Sequence, residues 1–420
     1  MFQIGGIEVD RLMDKVGSPL YVYDEQQIIN QMLSYRDNFK SDMFKCDVIY
    51  ASKAFSCTYM LKLVSHYGLC LDVVSGGELY VAEKAGFKGS YIYFHGNNKI
   101  HSEIEQALKY GVGTIIIDNM FEVDLIAQIA EELQRSIQVL IRINPRVEAH
   151  THEFIKTASV DSKFGISMDE KDQIKAMIEK INTSKWLSFD GYHAHIGSQI
   201  LAKDGFVAEI DTLVKFSRDM GYAIKVLNFG GGFGVRYTLQ DEVIPTSQMC
   251  KTLIKTIEKA LEKYHVSIEK ACIEPGRSIV AEAGYTLYRV GFIKKTPNKQ
   301  FAFVDGGMAD NIRPALYGAQ YRCDVANRLG EVKDEIYDIA GKCCESGDIL
   351  IKGVKLPHLC SNDILVVYST GAYGYTMASN YNRLNRLGVV FVKDAKAKIV
   401  IRPETYEDQL RCDCEKEVDL

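Results

Sequence analysis

From Val48 onward the chain repeats one simple alternation. Short apolar runs are separated by roughly 15 to 45 residues that carry helical periodicity. The runs are Val48–Lys53, Cys70–Ser75, Tyr91–Gly96, Thr114–Asn119, Gln138–Asn144, Phe189–Gly197, Lys225–Gly230 and Ala271–Gly276. Amphipathic segments such as Ser102–Tyr110, Val123–Gln134 and Asp169–Ile181 fill the gaps. Continuous apolar strands alternating with helices predict a parallel sheet covered by helices, because each strand must bury both faces. Eight units in about 230 residues fit a closed (β/α)8 TIM-like barrel. A doubly wound open sheet is the competitor, and the count of eight disfavours it. After about residue 285 the texture changes to short β-rich runs: Tyr285–Ile293, Phe301–Asp305, Ile364–Tyr368, Val389–Val392 and Lys398–Ile401. These predict a mainly antiparallel β domain. The expected division is a barrel over 26–284 and a β domain made of 1–25 with 285–420. Asp24 is positioned to cap the first helix.

At 420 residues the chain suits two or three domains. With 47% hydrophobic and 25% charged residues it is globular in composition. A net charge of −5 without a basic block disfavours nucleic acid. No apolar run reaches the length of a membrane-spanning helix. Met1 to Arg11 lacks a basic region followed by an apolar stretch, and eleven cysteines show no regular spacing. The expectation is a cytoplasmic protein with reduced thiols.

In such a barrel, chemistry collects at the C-terminal ends of the strands. The first run delivers Lys53. An amine in a partly desolvated pocket has a lowered pKa and can form a Schiff base with an aldehyde. The second run carries Asp72, the fifth Arg142, the sixth His193 and His195 followed by Ser198. The seventh ends in Gly230-Gly231-Gly232, and the eighth in Glu274-Pro275-Gly276-Arg277-Ser278. Three glycines let backbone N–H groups approach an anion without Cβ clashes, at the place where barrels often bind phosphate. Ser198, Arg277 and Ser278 could complete that cradle. Glu274 needs a cationic partner, and a pyridine nitrogen supplies one. His193 and His195 also read as a core pair or a metal pair. No matching carboxylate and cysteine set accompanies them in the sequence, so no metal is expected.

An aldehyde-capturing lysine, a phosphate cradle, a histidine for a planar ring and a carboxylate for its nitrogen describe a pyridoxal phosphate site. The chain resembles the barrel-fold (fold type III) pyridoxal-phosphate-dependent amino-acid decarboxylases, and most closely the diaminopimelate decarboxylase family. The motifs that carry the resemblance are YASK, DVVSGGEL, RINP, SKFG, HIGSQ, FGGGFG, EPGRS, FAFVDGGMADNIRPALYGA, CCESGD and GAYGYTMASNYN, spread over nearly the whole length. Phe55 stands where many relatives have asparagine. The resemblance implies that Lys53 holds the cofactor covalently, with Asp72 and Arg142 in support and His195 stacked on the ring. Ser198, Gly231, Gly232, Glu274, Pro275, Gly276, Arg277 and Tyr373 bind cofactor. Arg277, Arg313, Tyr317, Glu345 and Tyr373 bind substrate. Cys344 donates the proton, from or near a homodimer interface where active sites are shared. The implied reaction turns meso-2,6-diaminopimelate into L-lysine and carbon dioxide. Alternatives are a decarboxylase of carboxynorspermidine, ornithine or arginine, or a non-catalytic carrier of the cofactor. Without the resemblance, Arg313 reads as a surface arginine, and spacing alone does not nominate Cys344 over Cys343.

Overall fold

The computed structural model describes residues 1–147 and 162–418. The chain divides into two compact units. One comprises Ile29–Arg236 and Gln240–Ile279; the other comprises Met1–Ile28, Tyr237–Leu239 and Val280–Leu420.

The first unit is the barrel. Its strands are β1 (Lys45–Ala51), β2 (Cys70–Val73), β3 (Ile92–Phe94), β4 (Thr114–Ile117), β5 (Ile137–Asn144), β6 (Leu187–Ala194), β7 (Val226–Asn228) and β8 (Lys270–Ile273). Each pairs in parallel with the next. β8 returns to β1 through Ile273 opposite Val48, which closes the sheet. The eight apolar runs therefore supply the eight strands.

Closure is visible in the packing. Ile49, Cys70, Tyr93, Ile116, Leu140 and Cys272 form one buried cluster, with Val226 packed against it. Seven strands thus each give a side chain to a shared interior layer. The remaining strand, β6, presents Gly191 beside Leu140 and Val226. Gly191 has φ +142°, and a Cβ there would lie 2.0 Å from the Val226 carbonyl oxygen. Only glycine fits that approach.

The helices between strands start on caps that the sequence writes. Ser75 Oγ accepts from the Glu78 N–H at 3.2 Å, and Asn119 Oδ1 accepts from Glu122 N–H at 3.0 Å. The helices His101–Tyr110, Met120–Leu133 and Lys171–Thr183 match the three predicted segments to within about three residues. Among the described residues no helix is long and apolar enough to cross a membrane.

The second unit is built on the strand Leu20–Asp24, which pairs antiparallel with Gly284–Lys295 and parallel with Gly388–Lys393. Gln300–Val304, Cys323–Val325, Glu335–Ala340, Ile349–Leu356, Ile364–Val367 and Lys396–Ile401 complete the sheet. Among this unit's described residues only one other pairing is parallel, between Phe301–Phe303 and Asp338–Ala340, so the unit is mainly antiparallel. Ile4, Val9, Leu12, Met13, Leu20 and Val22 share its core with Leu287, Val366 and Val390. The N-terminal residues therefore belong here. Asp24 caps the helix Glu25–Asn38 through Gln27 N–H at 3.1 Å.

Candidate active site

Every barrel residue nominated from sequence lies in or just beyond the C-terminal end of a strand. Lys53 departs from expectation in its surroundings. β1 stops at Ala51, and a single 3-10 turn, Ser52–Ala54, carries Lys53 out to an exposed position. Its neighbours in the turn, Ser52 and Ala54, are buried. Its charge is still felt by Asp72 and His195.

Glu274 is buried at the end of β8. Asn228 Nδ2, on β7, donates to its Oε1 at 2.7 Å. His193 Nε2, on β6, meets its Oε2 at 3.2 Å. His95 Nε2, just after β3, comes to 2.8 Å of Oε1 at an angle that misses a regular hydrogen bond. Burial alone would raise the Glu274 pKa, but His95 and His193 outweigh it and hold the carboxyl well below its ordinary range. Burial drives His193 down to about 4 despite the carboxylate beside it. The His193 imidazole and the Asn228 amide thus both face the buried carboxylate.

Asp72 is also buried. Its Oδ1 lies 3.8 Å from His95 Nε2 and has no hydrogen-bond partner among the described residues. Burial raises its pKa and the neighbouring Glu274 adds to the rise, against His95, Lys53 and Arg142. Two buried carboxylates thus share one imidazole, an arrangement with room for a further cation in its charge balance.

The glycine run is shaped first by packing. A Cβ on Gly231 would lie 2.1 Å from the Glu274 carbonyl oxygen, and one on Gly232, where φ is +103°, would lie 2.3 Å from that of Gly197. The Gly230 N–H donates to Asn228 Oδ1 at 2.9 Å and the Gly231 N–H to His195 Nδ1 at 3.1 Å. The second bond makes Nδ1 an acceptor and puts the proton of the neutral ring on Nε2. Burial, then Lys53 and Arg142, hold the His195 pKa far down. Arg277 Nη2 donates to Ser198 Oγ at 2.8 Å, so these two phosphate candidates are already joined. Pro275 and Gly276 are buried beside them, and a Cβ on Gly276 would press on Ala51. Arg142 lies over the Phe164 ring, 4.7 Å from its centroid, with Nε 4.0 Å from Asp118 Oδ1.

The β unit carries the remaining nominated residues. Arg313 opens the short helix Arg313–Tyr317 and is buried, which corrects its reading as a surface arginine. Tyr373 lies with its ring centroid 5.9 Å from the Arg313 guanidinium carbon. Tyr317 is half-buried at the helix end. Cys344 and Glu345 are exposed, and the Cys344 N–H donates to Asn382 Oδ1 at 2.7 Å. Cys343 is buried, and burial pushes its thiol up to about 11. Of the adjacent pair, Cys344 is the accessible one.

Sequence reasoning missed His95 and Asn228 as partners of Glu274, and it set His193 aside. The signal was present: His95 follows Ile92-Tyr93-Phe94 and His193 follows Gly191-Tyr192, both polar breaks near strand ends. The histidines that meet a carboxylate are His95 and His193, not the pair His193 and His195 read in the sequence: the ligand atoms of His95, His193 and Glu274 all lie within 4.8 Å of one another. Both Glu274 oxygens are already engaged, and Asn228 shares one of them. Asn228 and His193 thus hold the carboxylate in place. A buried carboxylate, Glu274, for a pyridine nitrogen, an exposed lysine for an aldehyde, and Arg277 with Ser198 for a phosphate together fit pyridoxal phosphate.

The profile of the pyridoxal-dependent decarboxylase pyridoxal-binding domain matches residues 25–281. The chain is 46% identical over 416 residues to the diaminopimelate decarboxylase of Bacillus subtilis (strain 168), covering 98% of this chain and 94% of that one. The crystal structure of diaminopimelate decarboxylase from M. jannaschii in co-complex with L-lysine matches at TM-score 0.91 and 32% identity, over 99% of this chain and 96% of that one. The crystal structure of diaminopimelate decarboxylase from Helicobacter pylori complexed with L-lysine matches at TM-score 0.86 and 34% identity, over 96% of this chain and 98% of that one. Barrel, β unit, site chemistry and relatives agree: the chain belongs to the diaminopimelate decarboxylase family of pyridoxal-dependent decarboxylases.

Proposed function

We propose that this chain decarboxylates meso-2,6-diaminopimelate to L-lysine, the last step of lysine biosynthesis, as a cytoplasmic homodimer with shared active sites. The observation that carries the reaction class is Glu274, a buried carboxylate held well below its ordinary pKa beside Asn228 on β7, His193 on β6 and His95 just after β3. A racemase of this fold wants a ring nitrogen left without a proton, and an arginine serves that purpose. An ionised carboxylate serves the opposite one.

When bound, pyridoxal phosphate supplies an electron sink for the pair left by a departing α-carboxylate. Lys53 would hold the cofactor through its amine. Glu274 would be the partner of the ring nitrogen. His195, fixed by the Gly231 N–H, would be the ring-facing side chain. Asp72 and Arg142 balance charge around Lys53. Ser198, Gly231, Gly232, Pro275, Gly276, Arg277 and Tyr373 hold the phosphate end; of the two glycine N–H groups, that of Gly232 has no acceptor among the described residues. Cys344 delivers a proton to the α-carbon.

The substrate has two amino-acid ends, and only one reacts. Arg277, Arg313, Tyr317 and Tyr373 take the carboxylate of the other, while Glu345 takes its ammonium group. Substrates of ornithine, arginine or carboxynorspermidine decarboxylases have no carboxylate at the far end, so a buried Arg313 would be left without its anion. A non-catalytic carrier has no use for Arg313, Cys344 and Glu345.

Assays of carbon dioxide release from the four substrates test this reading. The expected order puts diaminopimelate first by roughly a hundredfold or more in kcat/KM, the scale on which unpaired buried polar groups discriminate. Faster release from ornithine or arginine refutes it. Lys53→Ala should remove both activity and the near-visible absorbance of the lysine-bound cofactor.

A further inference from the structure

We infer that Tyr237 and Tyr321 are positioning residues that determine specificity: they hold Arg313 so that one chosen edge of its guanidinium meets the carboxylate at the unreacted end of the substrate. This rests on the reading of Arg313 given above. Arg313 is 6% exposed, yet among the described residues no carboxylate forms an ion pair with it. Its neighbours are aromatic. The guanidinium carbon lies 5.0, 5.7 and 5.9 Å from the ring centroids of Tyr237, Tyr321 and Tyr373. A buried cation without a counter-charge is costly unless an anion arrives. Ring faces offset part of that cost.

The hydroxyls add direction. Nη1 donates to Tyr237 Oη at 3.1 Å and also to Tyr321 Oη. Both tyrosines therefore draw on the same nitrogen. Nε and Nη2, the adjacent pair whose N–H bonds run parallel, have no protein acceptor among the described residues. That edge is the one that grips a carboxylate with two bonds. The two tyrosine rings cross edge to face at 5.4 Å and 85°, and both are buried, so the anchors are themselves fixed. Tyr237 follows the glycine loop in sequence but belongs to the β unit. A guanidinium clamped at one corner loses less freedom on binding than one on a loose side chain.

The test removes hydroxyls and leaves rings. Tyr237→Phe and Tyr321→Phe are prepared as holoenzymes, with Arg313→Ala as reference. Two probes are titrated calorimetrically: L-lysine, which keeps one amino-acid end, and 1,5-diaminopentane, which has the same two amines and no carboxylate. Each tyrosine variant should weaken L-lysine about 3- to 10-fold, the worth of one such hydrogen bond. The diaminopentane affinity should not move. KM for diaminopimelate should rise in the same proportion, with kcat changed less than about twofold. Equal weakening of both probes, or a fall in kcat at constant KM, overturns the inference. If Arg313→Ala keeps its preference for L-lysine, the reading of Arg313 itself falls. If Arg313→Ala loses that preference while the tyrosine variants keep it, only the role of the tyrosines falls. Should one phenylalanine variant fail to fold, the other carries the test.

Discussion

Replacing Glu209 by glutamine removes an ionisable group from a place where none is welcome. Glu209 lies on the helix Asp204–Met220, fully buried, and neither carboxyl oxygen has a hydrogen-bond partner among the described residues. It shares an apolar pocket with Phe206, Ile210, Phe229, Phe233, Leu253, Ile257 and Ile273, which leaves no room for a water molecule. Burial, with a smaller push from Glu274, raises its pKa well above the usual range. The group enters the fold as the neutral acid. The sign then follows. An unfolded glutamate releases its proton above about pH 4.3, whereas the folded one keeps it. The folded state binds the extra proton, so stability is lost as pH rises, by about 1.4 kcal/mol per pH unit until the folded group itself ionises. Each pH unit in that window thus costs about tenfold in the folding equilibrium. Glu209→Gln keeps the shape and abolishes this slope. Glu209→Leu should also gain about 1–3 kcal/mol by removing a polar group with no partner. Trp186, the single tryptophan, stands directly before β6 and reports on the barrel. Urea unfolding followed by its fluorescence, at several pH values, gives the difference between parent and Gln variant. Parallel pH dependences would refute the reasoning, since they mean that the carboxyl ionises in the fold at no cost.

Three other outcomes are expected. Lys99 and Glu122 form an ion pair at 3.0 Å with both side chains 1% exposed, so Glu122→Gln should destabilise the barrel by about 3–5 kcal/mol, read as a lowered urea midpoint. Iodoacetamide should label Cys344 well before the buried Cys343, and Cys344→Ala should abolish turnover while Cys343→Ala stays within a few-fold; peptide mass mapping and a carbon dioxide assay decide it. Mixing Lys53→Ala chains with Cys344→Ala chains should restore part of the activity if sites are shared, and verified mixed dimers that stay inactive would remove the shared-site geometry.

The barrel was legible because its strands are buried on both faces. They appear in the sequence as short, mostly apolar runs, broken by few polar residues such as Asp72, Arg142 and Asp190, and eight such runs admit few other closures. The β unit was legible only in part. Glu335–Ala340 and Ile349–Leu356 escaped notice because their pairing carries register shifts around Tyr337 and Ile339, and Gly353 N–H turns in to bond Asp338 Oδ1 at 2.7 Å. Bulges break the two-residue period on which strand reading depends. Lys53 was found in position but not in environment: the apolar run predicts a strand end, while the exposed turn that follows it leaves no periodic trace.

The site divides along a similar line. Lys53, Glu274 and the glycines each end a run, so their place at one rim follows from strand direction alone. The holding of Glu274 does not. Its partners come from β3, β6 and β7, and these strands contribute one residue each with no motif joining them. Asn228 sits on the strand next to β8 and His193 one strand further, within reach in any sheet of this order. His95 is different. It follows β3, three strands from β8 by way of β1 and β2. In an open sheet strands lie about 4.8 Å apart, so three intervals put His95 roughly 14 Å from the carboxylate. It stands 2.8 Å away because the sheet is closed and both residues project into its interior. The ionised state of Glu274, on which the chemistry rests, is thus a property of closure that no local stretch of sequence contains.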